Sequence, residues 1–126
     1  SVSGTMMEGT IDNCTPSHPT AMINIHGTND DTVPYQGGEG LTAIDEVIDY
    51  WINENNTSTS PTTNENSNGS IERYTYANGD GNISIEHYKV IGGYHVWFDL
   101  EYEGANTGEL IWNFISQYDR NGLISQ

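Results

Sequence analysis

Ala21-Met-Ile-Asn-Ile-His-Gly-Thr-Asn-Asp30-Asp-Thr-Val-Pro-Tyr35 is the stretch on which the reading of this 126-residue chain turns. Thr20 to Ile25 is dense in apolar residues and bounded by Pro19 and Gly27. A short apolar run of that kind suits a strand buried on both faces, as in a parallel sheet. Residues 28–40 follow as a loop of turn formers, punctuated by Pro34 and the Gly37-Gly38 pair. A second stretch, Tyr88-Lys-Val-Ile-Gly-Gly-Tyr-His95-Val-Trp-Phe98, repeats the scheme. It reads as a strand ending near Val90 or Ile91, two glycines that let the chain turn tightly, and then an imidazole.

In open α/β sheets, ligands and catalytic groups gather at the carboxyl ends of strands. If these two strands are neighbours, the loops carrying Asp30 and His95 meet. A carboxylate placed there accepts the Nδ1 proton of the imidazole, fixes its tautomer and stabilises the imidazolium. Each residue also has a plainer reading. Asp30 alone suits a turn-capping side chain, and His95 alone suits a hydrogen-bonded loop histidine. Asp31 is a rival acid that the pattern does not exclude, and His26 reads as structural, holding its loop by hydrogen bonds. The spacing of His18 and His87 provides no credible zinc site. Cys14, the single cysteine, has no partner within the chain and reads as an unpaired structural thiol.

Working outward, Leu41, Ile44, Val47, Ile48, Trp51 and Ile52 recur at helical steps and predict an amphipathic helix over about 40–54. Residues 55–70 are almost wholly Asn, Ser, Thr, Glu, Pro and Gly, and are expected to form an exposed, flexible polar loop. It holds or adjoins glycosylation-type sequons at Asn55, Asn56 and Asn68. Residues 71–77 and 83–91 read as a β-hairpin around Asn78-Gly-Asp-Gly-Asn82. That turn fails the EF-hand calcium pattern, because the required glycine and terminal acid positions hold Ile83 and Lys89. A last helix is expected over about 107–119, and residues 1–5 suit a short strand end. The order of elements predicts a single domain, 1–126, forming part of a three-layer α/β structure.

Composition bounds the partners. Eighteen acidic against three basic residues leave a net charge of −15, with 34% hydrophobic residues. Almost no Lys or Arg is present to neutralise phosphates, so neither nucleic acid nor an anionic membrane is an expected partner. No run approaches the ~20 apolar residues of a membrane span. The start, Ser1-Val-Ser-Gly-Thr-Met-Met, lacks the basic and long apolar regions of a signal peptide and lacks an initiator Met, as expected of a mature or trimmed chain.

The segment His26-Gly-Thr-Asn-Asp30-Asp-Thr-Val-Pro-Tyr35, with Gly37-Gly38, resembles the acid loop of secreted esterases related to polyhydroxybutyrate depolymerases and feruloyl esterases. Gly92-Gly-Tyr-His95-Val-Trp97 resembles their histidine loop, Ser1-Val-Ser-Gly-Thr-Met their strand shortly after the nucleophile turn, and Ile111-Trp-Asn-Phe114 their C-terminal helix. The resemblance implies the C-terminal portion of an α/β-hydrolase sheet, with flanking helices and a β-hairpin. It makes Asp30, rather than Asp31, the triad acid and His95 the triad base, in an extracellular serine carboxylesterase needing no cofactor or metal. Tyr94, Trp97 and Phe98 are then candidates to line the substrate pocket, although aromatic packing in a core suits them equally.

No Gly-x-Ser-x-Gly nucleophile turn occurs in the 126 residues. The implied partners are therefore the N-terminal half of the same protein and an ester: a small aromatic ester, a polyester oligomer or an acylated sugar. A fragment exposing an apolar sheet edge is also expected to associate with itself. Two rival readings remain open at this level. A non-catalytic carbohydrate-binding module predicts Trp97 and Tyr102 exposed in a row, with Asp30 and His95 far apart. A purely structural fragment predicts a fold that depends on its missing half.

Overall fold

The computed structural model of the chain describes residues 1–124. After a four-residue helical turn, α1 (Thr10–Asn13), the chain forms β1 (Met22–Gly27) and then α2 (Ile44–Asn55). Three strands follow, β2 (Thr62–Glu65), β3 (Ile71–Tyr76) and β4 (Ile85–Val90), with a short 3-10 turn at Asp80–Asn82 before the last of them. A two-residue pair, β5 (Glu101–Tyr102) and β6 (Ala105–Asn106), leads into α3 (Thr107–Ile115). The chain then closes with another such pair, β7 (Tyr118–Asp119) and β8 (Gly122–Leu123).

The main sheet runs β1-β4-β3-β2. β1 and β4 are parallel, with Gly27 beside Val90, while β4, β3 and β2 are antiparallel in turn. The two strands that end in the sequence motifs are therefore adjacent and point the same way. On the outer side of β1, Val2 bridges Ile25 in parallel, which places the short strand end expected at the start of the chain.

The register divides the side chains between two cores. On one face Ile23, Ile25, Ile71 and Tyr88 meet Phe98, Leu100, Tyr102, Leu110 and Phe114 from the final third of the chain. On the other, Ile85 packs with Tyr35, Ile44, Ile48 and Ile52 on and before α2. This is an α/β arrangement with a mixed sheet and a helix on each side, as the two-faced burial of β1 predicts. Two of the three cations are absorbed into packing: the Arg73 guanidinium lies 5.0 Å from the Tyr102 ring centre, and the Lys89 ammonium 5.3 Å from that of Tyr35.

Three expectations need correction. The stretch 55–70 is not loop throughout, because Thr62–Glu65 pairs along β3 as a wholly exposed edge strand. Its polar side chains suit an edge that must not recruit another strand. The start of that stretch is fixed as well: the buried Asn55 amide accepts from the Thr20 N–H at 2.9 Å and donates to the Thr20 carbonyl at 2.7 Å. A glycan acceptor at Asn55 has no room. The last helix is shorter than expected, running Thr107–Ile115, because the chain turns into the β7–β8 pair. Its start follows local chemistry, since the Asn106 side chain accepts from the Glu109 N–H at 2.9 Å.

Ile25, wholly buried between β4 and the aromatic core, tests this packing. Ile25→Ala is expected to lower unfolding stability by about 2–5 kcal/mol in urea titrations. Trp112→Ala, on the exposed side of α3, is expected to change it by no more than about 0.5 kcal/mol.

Candidate active site

Parallel pairing brings the two post-strand loops side by side, and backbone bonds stitch them together. The Thr28 N–H donates to the Val90 carbonyl at 3.0 Å and the Asn29 N–H to the Gly93 carbonyl at 2.9 Å. In return, the Gly92 N–H donates to the Thr28 hydroxyl at 2.7 Å. The approach is so close that a Cβ on Gly27 would run into the carbonyl group of Gly93. Gly92 takes a left-handed φ of 75°, and a Cβ on Gly93 would sit 2.8 Å from the Phe98 ring. Glycine is needed here for two separate reasons, backbone conformation and space.

The stitched loops set His95 against Asp30. The His95 Nδ1 lies 3.0 Å from Asp30 Oδ2, and since an ionised carboxylate only accepts, Nδ1 carries the proton. Nε2 is then the basic nitrogen, on a side chain 40% exposed to solvent. Asp30 itself has no exposed side-chain surface. Its Oδ1 accepts from the Val33 N–H at 2.7 Å and the Thr32 N–H at 2.9 Å.

His26, fully buried, donates from Nε2 to the Val33 carbonyl at 2.7 Å and lies 3.3 Å from Asp30 Oδ2. Burial pushes the Asp30 carboxyl up, but the Val33 amide, the His95 ring and the Thr32 amide together hold it below its ordinary value. Asp30 is both a turn cap and the partner of the imidazole, so its two readings are one arrangement. Asp31, exposed, bonds only the neighbouring Thr32 hydroxyl, at 3.4 Å.

Further side chains hold the frame. The Tyr35 carbonyl accepts the first amide of α2, Ile44 N–H, at 3.0 Å. The Tyr35 hydroxyl shares a 2.7 Å hydrogen bond with His87 Nε2, and burial lowers the His87 pKa to about 4, keeping it neutral. Beyond His95, the buried Thr107 hydroxyl accepts from the Leu100 N–H at 2.8 Å and donates to the Phe98 carbonyl at 2.5 Å. Thr28 and Thr107 were not among the sequence candidates, because threonine in a loop carries no distinguishing pattern.

Of the three aromatic candidates, Tyr94 and Trp97 stand beside His95 and are 60% and 67% exposed. Phe98 departs from expectation: it is 6% exposed and belongs to the core, beneath Gly93. Tyr102 is also buried, at 1% exposure, so it forms no exposed row with Trp97. With Asp30 and His95 in contact, neither expectation of the carbohydrate-binding reading is met. Among the described residues, no group of three or more His, Cys, Asp or Glu side chains converges as metal ligands. No helix among them is long and apolar enough to cross a membrane.

No protein-family model matches the chain. Its sequence is 29% identical over 107 residues to the bifunctional acetylxylan esterase/xylanase XynS20E of Neocallimastix patriciarum. The relationship is distant and esterase-like. The match takes in 85% of this chain, which spans only 15% of that protein's length.

Two outcomes test the site. Gly27→Ala is expected to force the loops apart at a cost of about 1–3 kcal/mol in chemical unfolding, with loss of the His95–Asp30 contact in the NMR spectrum. Because the folded-state pKa of Asp30 is depressed, its contribution to stability is full above the ordinary aspartate value of about 3.9 and is lost as pH falls through the lower folded value. The stability gap between wild type and Asp30→Asn, measured by unfolding from pH 7 downward, is therefore expected to be constant near neutrality and to narrow only in that acid range.

Proposed function

We propose that this chain supplies the acid and the base of a Ser-Asp-His triad in a carboxylic-ester hydrolase of α/β-hydrolase type. The observation that carries this reading is the buried, multiply bonded Asp30 carboxylate held 3.0 Å from His95 Nδ1. The distant esterase relative supports it independently, as does the resemblance of both loops to the polyhydroxybutyrate depolymerase and feruloyl esterase pattern. Placed at parallel strand ends, the pair is where such a sheet collects its chemistry.

In this mechanism His95 Nε2 takes the proton of a serine hydroxyl as its oxygen bonds to the acyl carbon of the ester. The imidazolium, stabilised by Asp30, then gives the proton to the departing alcohol as the carbon–oxygen ester bond breaks. A water deprotonated by the same nitrogen attacks the acyl-enzyme and releases the carboxylic acid, restoring the serine. Acid and histidine alone form no acyl-enzyme, so the nucleophile and the oxyanion-hole donors come from a segment outside these 126 residues. That segment is taken to approach His95 across the exposed Tyr94, Val96 and Trp97, with the aromatics contributing to the substrate pocket. Among ester classes, the name of the relative favours an acylated sugar over aromatic esters and polyester oligomers. An extracellular setting is part of the same proposal, as is the absence of any cofactor from the reaction.

The isolated chain is expected to show no ester turnover above background and no labelling by a fluorophosphonate probe. Labelling of one of its own serines would overturn this assignment of roles. In the protein that joins this chain to its nucleophile-bearing segment, Asp30→Asn is expected to lower kcat on an acetylated xylo-oligosaccharide by about 10⁴-fold. Near-wild-type turnover in that variant would remove Asp30 from the mechanism.

A further inference from the structure

Between Gly93, stitched to Asn29, and Phe98, held by Thr107, the chain crosses the four residues that carry the imidazole. Tyr94, Val96 and Trp97 turn their side chains to solvent, so packing does little to fix this stretch. Among the described residues, one hydrogen bond ties its backbone to the sheet. The Ser3 hydroxyl donates to the Val96 carbonyl at 2.7 Å, across 93 positions of sequence.

Ser3 is built for that contact. Its N–H is fixed to the Ile25 carbonyl at 2.9 Å, immediately after the Val2–Ile25 bridge, and the residue is 8% exposed. Its backbone takes a left-handed φ of 55°, a conformation disfavoured for any residue with a Cβ. A buried non-glycine residue held in that region, with its hydroxyl engaged beside the imidazole loop, marks a position where local strain is offset by what the side chain does.

We infer that Ser3 is a positioning residue for the triad base, its hydroxyl fixing the Val96 peptide and through it the distance from His95 to Asp30. The inference rests on the acid–base reading of that pair. Ser3 is not the missing nucleophile, because its proton goes to a carbonyl oxygen, whereas an activated serine donates to the imidazole. With the bond gone, the four residues swing between their two anchored ends, and Nδ1 no longer stays within reach of Oδ2. Reaction geometry is sensitive to displacements of about 1 Å.

The test is proton NMR of the full 126-residue chain, following the downfield Nδ1 proton shared by His95 and Asp30. Ser3→Ala removes the hydroxyl and keeps the Cβ. Ser3→Gly removes the hydroxyl and suits the left-handed backbone, so it is the variant expected to fold best. Thermal unfolding verifies that each variant is folded. Both are expected to broaden the shared proton and raise its exchange with water at least tenfold. Ile52→Ala, which weakens the core on the α2 side, is expected to leave that proton in place, separating positioning from general loss of stability. Retention of the wild-type signal in Ser3→Gly, together with its loss in Asp30→Asn, would overturn the role of Ser3 and leave the acid–base pair standing. A wild-type spectrum without this proton, unchanged in Asp30→Asn, would overturn both.

Discussion

The contact on which the site depends lies between two stretches of backbone. Gly27 and Gly93 approach more closely than any pair of side-chain-bearing residues allows, and three hydrogen bonds involving Thr28, Asn29 and Gly92 hold them there. Parallel pairing of β1 with β4 sets the register that makes this approach possible. Asp30 is three residues from one glycine and His95 two from the other, so the reach of each side chain is fixed by the backbone before any side-chain contact is counted. The acid–base distance is a by-product of sheet geometry, as expected where catalytic groups sit on short extensions of rigid strands.

The carboxylate is the second constraint. Val33 and Thr32 amides satisfy one oxygen of Asp30, and the His95 and His26 rings face the other. A carboxylate so surrounded by donors stays ionised, and the proton between it and His95 stays on the ring. His26 thus has a structural task with electrostatic consequences: it braces the turn through the Val33 carbonyl and lends a partial positive charge to Asp30.

Asp30 and His95 were legible in the sequence because each follows an apolar strand run and a glycine, a local pattern with a local cause. What was not legible depended on partners distant in sequence. Thr62–Glu65 has no apolar alternation and becomes a strand only because β3 offers it an edge. Tyr118 continues the helical spacing of α3, yet the chain reverses at Ser116–Gln117 into the β7–β8 pair. Within Tyr94-His95-Val96-Trp97-Phe98, nothing in residue type distinguishes outward aromatics from the inward one. Phe98 is turned in by Thr107 and by the room that Gly93 leaves. Ser3, a serine near a chain start, carries no signal until Val96 is placed beside it.

The two cations folded onto aromatic rings have a consequence for traffic at the site. With Lys89 spread over Tyr35 and Arg73 over Tyr102, Arg120 is the remaining one of three basic residues to offset eighteen carboxylates. The field around His95 is therefore dominated by negative charge. A neutral ester approaches that field without penalty, whereas the carboxylate released from it is pushed outward, so the charge of the fold favours departure of the acid over its return.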